Sequence, residues 1–159
     1  MKVVVIHGSP RRKNSATYKI ADHIVNGMKK KNSDVEEFFL ADMKINHCVG
    51  CFTCWTKTPG KCIHNDDMEQ ILESIKKADL VIHASPLYYF DVTGLFKNFT
   101  DRQLPLIQPY LVDHGDTTGH PYRGEGQHPK VFLVSVCGFQ KGPILMLSLL
   151  DTRNHMVKE

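Results

Sequence analysis

MKVVVIHGSPRRKNSAT, residues Met1 to Thr17, joins a short apolar run to a loop of hydroxyl and basic side chains. The run Val3–Ile6 is β-branched and apolar on both faces, which is typical of a strand buried inside a parallel sheet. A polar loop follows from Gly8, and a helical pattern begins near Ala16. Backbone N–H groups and the positive end of the helix dipole favour a phosphate there. In a doubly wound sheet, a phosphate at this edge belongs to a nucleotide or a flavin.

The spacing of this loop excludes two common phosphate-binding motifs. GxGxxG requires glycines that the loop lacks, and GxxxxGK[ST] is absent. The remaining possibility is a loop that binds with side chains as well as backbone. The single terminal phosphate of FMN suits such a loop better than a pyrophosphate does. The alternative is an ordinary solvated polar loop.

Length and charge limit the function classes. The 159 residues predict one domain, residues 1–159, with enough chain for a core. The net charge of +3 comes from scattered basic residues, so no nucleic acid partner is indicated. No apolar stretch is long enough to span a membrane. The N-terminus enters a strand directly and shows no signal peptide, so we expect a cytoplasmic protein.

Strand and helix patterns alternate along the chain. This alternation predicts an α/β three-layer sandwich around a parallel sheet, with strand order 2-1-3-4 and strand 1 central. The apolar run 143–150 is either a helix or a fifth strand. Asp101 and Arg102 are expected to pair at a helix end. The predicted helices cover 16–31, a segment beginning at 65–66, and 93–102; strands 2, 3 and 4 cover 35–40, 80–84 and 131–136.

An aromatic segment, Ser85–Phe90, follows the third strand. A flavin ring needs a flat apolar wall and backbone N–H groups near its polar edge. The segment shares its sheet edge with the phosphate loop, which favours a cofactor wall over a simple core segment. Gly94 could begin the next helix close to the ligand, and Gly138 follows the fourth strand at the same edge.

Four of the five cysteines crowd into a loop over residues 46–64. Their pattern is C-x2-C-x2-C-x7-C, formed by Cys48, Cys51, Cys54 and Cys62. Three thiolates at equal steps and a fourth after a short loop suit a [4Fe–4S] cluster better than zinc, whose sites usually join two distant pairs. A reduced cluster of thiols without metal, a zinc site and a redox disulfide are the open alternatives.

Several motifs in the same order give the chain a family likeness. They span residues 1 to about 102, and the fourth strand extends the match to about 139. The chain resembles the flavodoxin-like NAD(P)H-dependent FMN reductases, and within them the iron–sulfur flavoproteins. The motifs are Gly8-Ser9-Pro10-Arg11 with Asn14, Ser15 and Thr17, then Cys48–Trp55, Gly60-Lys61-Cys62, Asp66-Asp67-Met68, Ser85–Tyr89, Leu95-Phe96-Lys97 and Asp101-Arg102.

The resemblance implies a set of FMN ligands and an assembly. It implies dimers or tetramers, and it leaves the cluster open because related cysteine loops occur with and without one. The implied phosphate ligands are Ser9, Arg11, Asn14, Ser15 and Thr17. The residues implied around the ring are Pro86, Leu87, Tyr88, Tyr89 and Gly94, and Gly138 is a further candidate contact.

These features together predict a flavin oxidoreductase. NAD(P)H would reduce FMN, and electrons would pass to a quinone, a nitro compound, a second flavin or a one-electron carrier. No side-chain acid or base is required, so no catalytic residue is assigned. One alternative is a flavodoxin-like electron carrier without a substrate pocket; the positive charge counts against it, since such carriers are typically acidic. A flavin-free scaffold with a zinc or regulatory thiol site is the other.

Overall fold

The fold is built on a five-stranded sheet with strand order β2-β1-β3-β6-β7. The computed structural model describes residues 1–113, 115, 118–123 and 128–138, and the backbone of 144–150. The strands are β1 (Lys2–His7), β2 (Asp34–Phe39), β3 (Leu80–Ala84), β4 (Val112–Asp113), β5 (Thr118–Gly119), β6 (Lys130–Cys137) and β7 (Ile144–Leu150). The helices are α1 (Ala16–Lys29), α2 (Met68–Lys76) and α3 (Gly94–Asp101).

The alternation of side chains along β1 creates the three layers. Val4 and Ile6 pack in the core formed with α2 and α3, whereas Val3 and Val5 pack in the core formed with α1. All four side chains are fully buried. Each contributes about 1.5–3 kcal/mol of hydrophobic stabilisation. β1 is an interior strand, flanked by β2 and β3, and in the five-stranded sheet the middle position belongs to β3. The predicted three-layer α/β fold is confirmed.

Strands β1, β2, β3 and β6 run parallel in the predicted order 2-1-3-4, since β6 is the predicted fourth strand. The fifth strand, β7, pairs antiparallel with β6, so that Val131 lies opposite Leu150 and Cys137 opposite Ile144. Of the two readings open for the apolar run, the strand is correct. The small antiparallel β4–β5 sheet lies between α3 and β6 in the chain. No helix in the described part of the chain is long and apolar enough to cross a bilayer.

Candidate functional site

The loops after β1 and β3 are tied together at one edge of the sheet by Thr93. Its Oγ1 donates to the carbonyl of Gly8 at 2.6 Å, and its backbone N–H donates to Oγ of Ser85 at 3.3 Å. The same hydroxyl caps α3 by accepting from the N–H of Phe96 at 3.2 Å. The side chain is 2% exposed. The structure therefore brings the predicted phosphate loop and the predicted ring segment side by side.

Close packing at Gly8 fixes this approach. A Cβ built there would lie 2.6 Å from Cδ2 and 2.9 Å from Cβ of Phe96, a buried residue in the first turn of α3. Gly8 also donates its N–H to the carbonyl of Ala84 at 2.8 Å. Only glycine lets the backbone after β1 lie against α3 without displacing it.

The phosphate loop turns sharply into α1. Ser9 Oγ accepts from the N–H of Arg11 at 3.2 Å, and Arg12 adopts a left-handed φ of 50°. Ser15 caps the helix, accepting from the N–H of Tyr18 at 3.1 Å and donating to the carbonyl of Arg12 at 2.9 Å. The first N–H groups of α1 precede the intrahelical bonding pattern, so this end of the helix can bind an anion.

The predicted phosphate ligands differ in exposure. Ser9, Ser15 and Thr17 are buried, whereas Arg11 and Asn14 are exposed. The Ser15 hydroxyl already serves as the helix cap, which makes its predicted contact with phosphate the most indirect of the set. The contacts of all five with a phosphate stay predictions.

The end of β6 reaches the same edge. Ser85 and Leu87 donate their N–H groups to the carbonyls of Val134 and Val136, each at 3.1 Å. Gly138 lies just beyond β6; it is exposed, and a side chain added there would meet open space. The ends of β1, β3 and β6 thus surround one region, which agrees with the expected ligand position in a doubly wound sheet.

An exposed aromatic turn rises beside this region. Tyr88 and Asp91 bond to each other twice through the backbone, at 2.7 and 3.1 Å. Tyr89 and Phe90 form the tip of the turn, both with left-handed φ, and are 97% and 76% exposed. Phe90 belongs to the aromatic segment predicted as a cofactor wall, although it is not among the residues implied around the ring. Flat apolar surface of this kind is suited to stacking on a planar ring or a protein surface.

A basic pocket of about 600 Å³ lies on the β2 side of the phosphate loop. Lys13 Nζ lies 5.6 Å from the centroid of the Phe39 ring, in cation–π geometry. Arg12 bonds to the segment that follows β2, since it pairs with Asp42 and donates to the carbonyl of Ala41 at 3.1 Å. These contacts give Arg12 a structural role in the loop. Arg11, which is exposed, is therefore the arginine that we assign to the phosphate.

A buried histidine supports the loop from below. His7, at the end of β1, stacks on Phe39 with ring centroids 4.4 Å apart, and its Nε2 lies 3.0 Å from Oε2 of Glu37. Lys29 bonds the other carboxylate oxygen at 3.1 Å. The hydrogen bond with His7, aided by Lys29 and opposed by burial, lowers the pKa of Glu37 to about 2. Sequence reasoning missed this cluster because its members are distant in sequence and His7 directly follows the apolar run Val3–Ile6.

The four cysteines of the 46–64 loop line one small pocket of about 20 Å³, a volume that holds a single water molecule. Cys48 and Cys51 are exposed, Cys62 is half-buried and Cys54 is buried. Burial, followed by the charge of Cys62, raises the pKa of Cys54. Among the described residues, no group of three or more potential metal ligands is close enough to hold an ion. Four thiols on one pocket fit a cluster in kind and number, provided that the loop opens to admit it.

The two ends of the cysteine loop lie next to each other and are joined by hydrogen bonds. Lys44 donates its N–H to Oδ2 of Asp67 at 2.6 Å, and Asp67 returns an N–H to the carbonyl of Lys44 at 3.1 Å. Within the loop, Gly50 and Gly60 have left-handed φ of 65° and 83°. Trp55 anchors the loop by donating from Nε1 to the carbonyl of Leu104 at 2.9 Å.

A buried ion pair joins this loop to α3. Arg102 donates to Asp66 through Nη1 at 2.8 Å and Nη2 at 3.0 Å, and to the carbonyl of Asn46 at 2.6 Å. Both side chains are only 1% exposed. The predicted Asp101–Arg102 pair is wrong, since Asp101 pairs with Lys97 on the surface. The stronger partner of Arg102 lies far away in sequence.

A family model described as NADPH-dependent FMN reductase matches residues 1–125. The chain belongs to this family. An iron-sulfur flavoprotein of Archaeoglobus fulgidus is 41% identical over 105 residues, which are 66% of this chain and 46% of that protein. One of Clostridioides difficile is 41% identical over 114 residues, 70% of this chain and 49% of that protein. The chain therefore spans about half the length of the curated relatives it matches.

A solved structure supports the fold. The FMN-dependent NADH-azoreductase from Bacillus anthracis in complex with FMN superimposes with a TM-score of 0.60 at 15% identity, over 85% of this chain and 68% of that one. At this identity the likeness concerns the fold alone. The family match confirms the predicted resemblance to the NAD(P)H-dependent FMN reductases.

Proposed function

We propose that this chain binds FMN across the ends of β1, β3 and β6 and forms the flavin-binding part of an NAD(P)H-dependent oxidoreductase. The observation that carries the proposal is the Thr93 link, which holds the anion-binding loop and the aromatic segment together at one sheet edge. The family match over residues 1–125 supports the same reading.

In this proposal the phosphate loop holds and orients the cofactor. The N-terminus of α1, the hydroxyls of Ser9 and Thr17 and the guanidinium of Arg11 bind the phosphate, since charge-assisted hydrogen bonds to an anion are stronger than neutral ones. Asn14 and Ser15 complete the set. Gly8 supplies the close backbone approach, and Thr93 keeps the loop at a constant distance from the ring segment.

The segment after β3 holds the ring. Pro86 and Leu87 direct the backbone along the ring edge, Tyr88 and Tyr89 supply a stacking wall, and Gly94 and Gly138 leave room for close approach. Bound FMN would supply hydride acceptance from NAD(P)H and release of electrons singly or in pairs. The protein's part is orientation and exclusion of water, so no side-chain acid or base is assigned.

The cysteine loop is proposed to hold a [4Fe–4S] cluster through Cys48, Cys51, Cys54 and Cys62. Relatives named iron-sulfur flavoproteins and the four thiols on one pocket support this. A cluster there would supply one-electron transfer. The acceptor is proposed to be a small molecule, such as a quinone, a nitro compound or a flavin, or a one-electron carrier.

We further propose a homodimer or homotetramer in the cytoplasm. The exposed aromatic tip formed by Tyr89 and Phe90 is the type of surface that a second subunit would cover. All five cysteines are unpaired, as is usual in a reducing compartment.

The FMN site is tested with Ser9→Ala and Thr17→Ala. Each should weaken FMN binding by about 1–3 kcal/mol, the value of a lost hydrogen bond to a charged group. Ser74→Ala on α2, away from this edge, is the matched control. Flavin fluorescence quenching measures the affinity. If the double variant Ser9→Ala/Thr17→Ala binds FMN with unchanged affinity, the assignment of the phosphate site to this loop is wrong.

The activity and the cluster are tested on anaerobically purified protein. Steady-state NAD(P)H oxidation with an artificial acceptor separates a reductase from an electron carrier, which would show no such activity.

The stacking wall and the cluster are tested by substitution. Tyr88→Ala should perturb the flavin spectrum and slow hydride transfer. Cys51→Ser and Cys54→Ser should lose iron and labile sulfide while keeping FMN. Iron-free wild-type protein with full activity would leave a plain FMN reductase.

A further inference from the structure

We propose that Arg102 tunes the reduction potential of the cluster by donating a hydrogen bond from Nε to the sulfur of Cys62 and by fixing a positive charge beside it. The inference rests on the proposed function, since it concerns the cluster that the cysteine loop would hold. Neither the family description nor the names of the relatives assign a role to this arginine.

The position of Arg102 is unusual for a charged side chain. It is only 2% exposed, a degree of burial that arginine reaches in proteins almost only when it is paired. It lines the same pocket as the four cysteines. An arginine side chain keeps its charge in proteins, and the two hydrogen bonds to the Asp66 carboxylate compensate the burial of Arg102. The guanidinium thus stays charged next to a cysteine of the proposed cluster.

The hydrogen-bond pattern leaves one edge of the guanidinium available. Asp66 binds end-on through Nη1 and Nη2, and Nη1 also donates to the carbonyl of Asn46. The planar fork of arginine then directs Nε away from Asp66. Nε is buried and has no hydrogen-bond partner among the described residues. A sulfur of Cys62 carrying negative charge would satisfy this donor.

The effect on potential follows from charge. Reduction adds one electron to the cluster and so one negative charge. A fixed cation and an N–H donor at a coordinating sulfur both stabilise the reduced form, and hydrogen bonds to sulfur and local charge are known determinants of cluster potential. Asp66 offsets part of the positive charge. Because Asp66 binds Nη1 and Nη2, the N–H of Nε stays available to a sulfur in the pocket that Arg102 and Cys62 share.

The test is a redox titration of the anaerobically reconstituted full chain, followed by electron paramagnetic resonance. Arg102→Lys keeps a charge near Asp66 and removes the Nε donor; we expect its ratio of reduced to oxidised cluster at the wild-type midpoint to fall about threefold. Arg102→Gln removes both, and the ratio should fall about tenfold, which is about 59 mV for one electron. The matched control is Lys97→Gln, which removes an exposed cation from the same helix and should leave the ratio unchanged.

Iron, sulfide and FMN contents are measured on every variant, because a purely structural arginine would change cluster content but not potential. If Arg102→Gln does not fold, the pair Asp66→Asn/Arg102→Gln replaces it, since both buried charges are then removed together. If Arg102→Lys and the double variant Asp66→Asn/Arg102→Gln both keep the wild-type potential, this inference is overturned and the proposed cluster still stands. A wild-type protein that takes up no cluster overturns the proposed cluster and this inference with it.

Discussion

Replacing Asp66 by asparagine should destabilise the protein far more than a typical surface substitution. The Asp66 carboxylate accepts five hydrogen bonds: two from Arg102, two from Asn46 at 2.9 Å each, and one from the Met68 N–H at 3.2 Å. An amide can accept at only one of the two positions. The amide NH₂ of the variant would replace the oxygen that accepts fewer hydrogen bonds, so it would face two donors, Nη2 of Arg102 and the N–H of Met68. The guanidinium would also lose its counter-charge.

We expect Asp66→Asn to lower the free energy of unfolding by about 3–5 kcal/mol, the range for breaking one side of a buried ion pair. Urea unfolding followed by circular dichroism measures it. Asp101→Asn is the control: its pair with Lys97 is about half exposed on both sides, and its loss should cost less than about 1 kcal/mol. Equal losses in the two variants would refute the reasoning, because the pair would then not be desolvated.

The same carboxylate should give a pH signature. Burial opposes ionisation of Asp66, but hydrogen bonds from Arg102 and Asn46 outweigh it and hold its pKa well below the usual range. A depressed carboxyl pKa stabilises the fold above the unfolded-state pKa of about 4, and this stabilisation is lost as the pH falls below it. The slope of stability against pH in acid should therefore be smaller in Asp66→Asn than in the wild type.

Other substitutions test other parts of the fold. Gly8→Ala should cost about 1–3 kcal/mol by overpacking against Phe96, whereas Gly27→Ala, whose Cβ meets nothing within 4 Å, should stabilise α1 by about 0.5–1 kcal/mol; urea unfolding compares them. Glu37→Gln should lose about 1–2 kcal/mol at pH 7, because the bond to His7 lowers the pKa of Glu37 to about 2 from 4.5. That stabilisation is present above pH 4.5 and disappears between about pH 4.5 and 2, so stability curves of Glu37→Gln and wild type should converge there.

The central sheet and its loops were predictable because their signals are local. The β-branched run of β1, the polar loop before α1 and the cysteine spacing can each be read from a few neighbouring residues. The Arg102 pair could not be predicted this way. Asp66 is 36 positions from Arg102, whereas Asp101 is adjacent to it in sequence, and only the tertiary fold decides between them. His7 was missed because it directly follows the apolar run of β1 and its partners, Glu37 on β2 and Tyr18 on α1, are distant in sequence.

The direction of β7 was not predictable either. An apolar run shows that a segment is buried but not which way it pairs, and the parallel strands before it favoured a fifth parallel strand only by analogy. The aromatic turn at Tyr88–Asp91 likewise depends on two consecutive left-handed residues, Tyr89 and Phe90. Neither residue type favours that conformation, so the sequence contains no local sign of it.

The paired backbone bonds between Lys44 and Asp67 have a consequence for the order of assembly. Because the cysteine loop starts and finishes at the same place, closing it requires no rearrangement of the strands on either side. In many small metal proteins the ion drives folding, since the apo chain cannot build a core. Here the two cores on either side of β1 include none of the four cysteines. If the loop holds the proposed cluster, we therefore expect the sheet to fold without iron and the cluster to be inserted afterwards into an already folded protein.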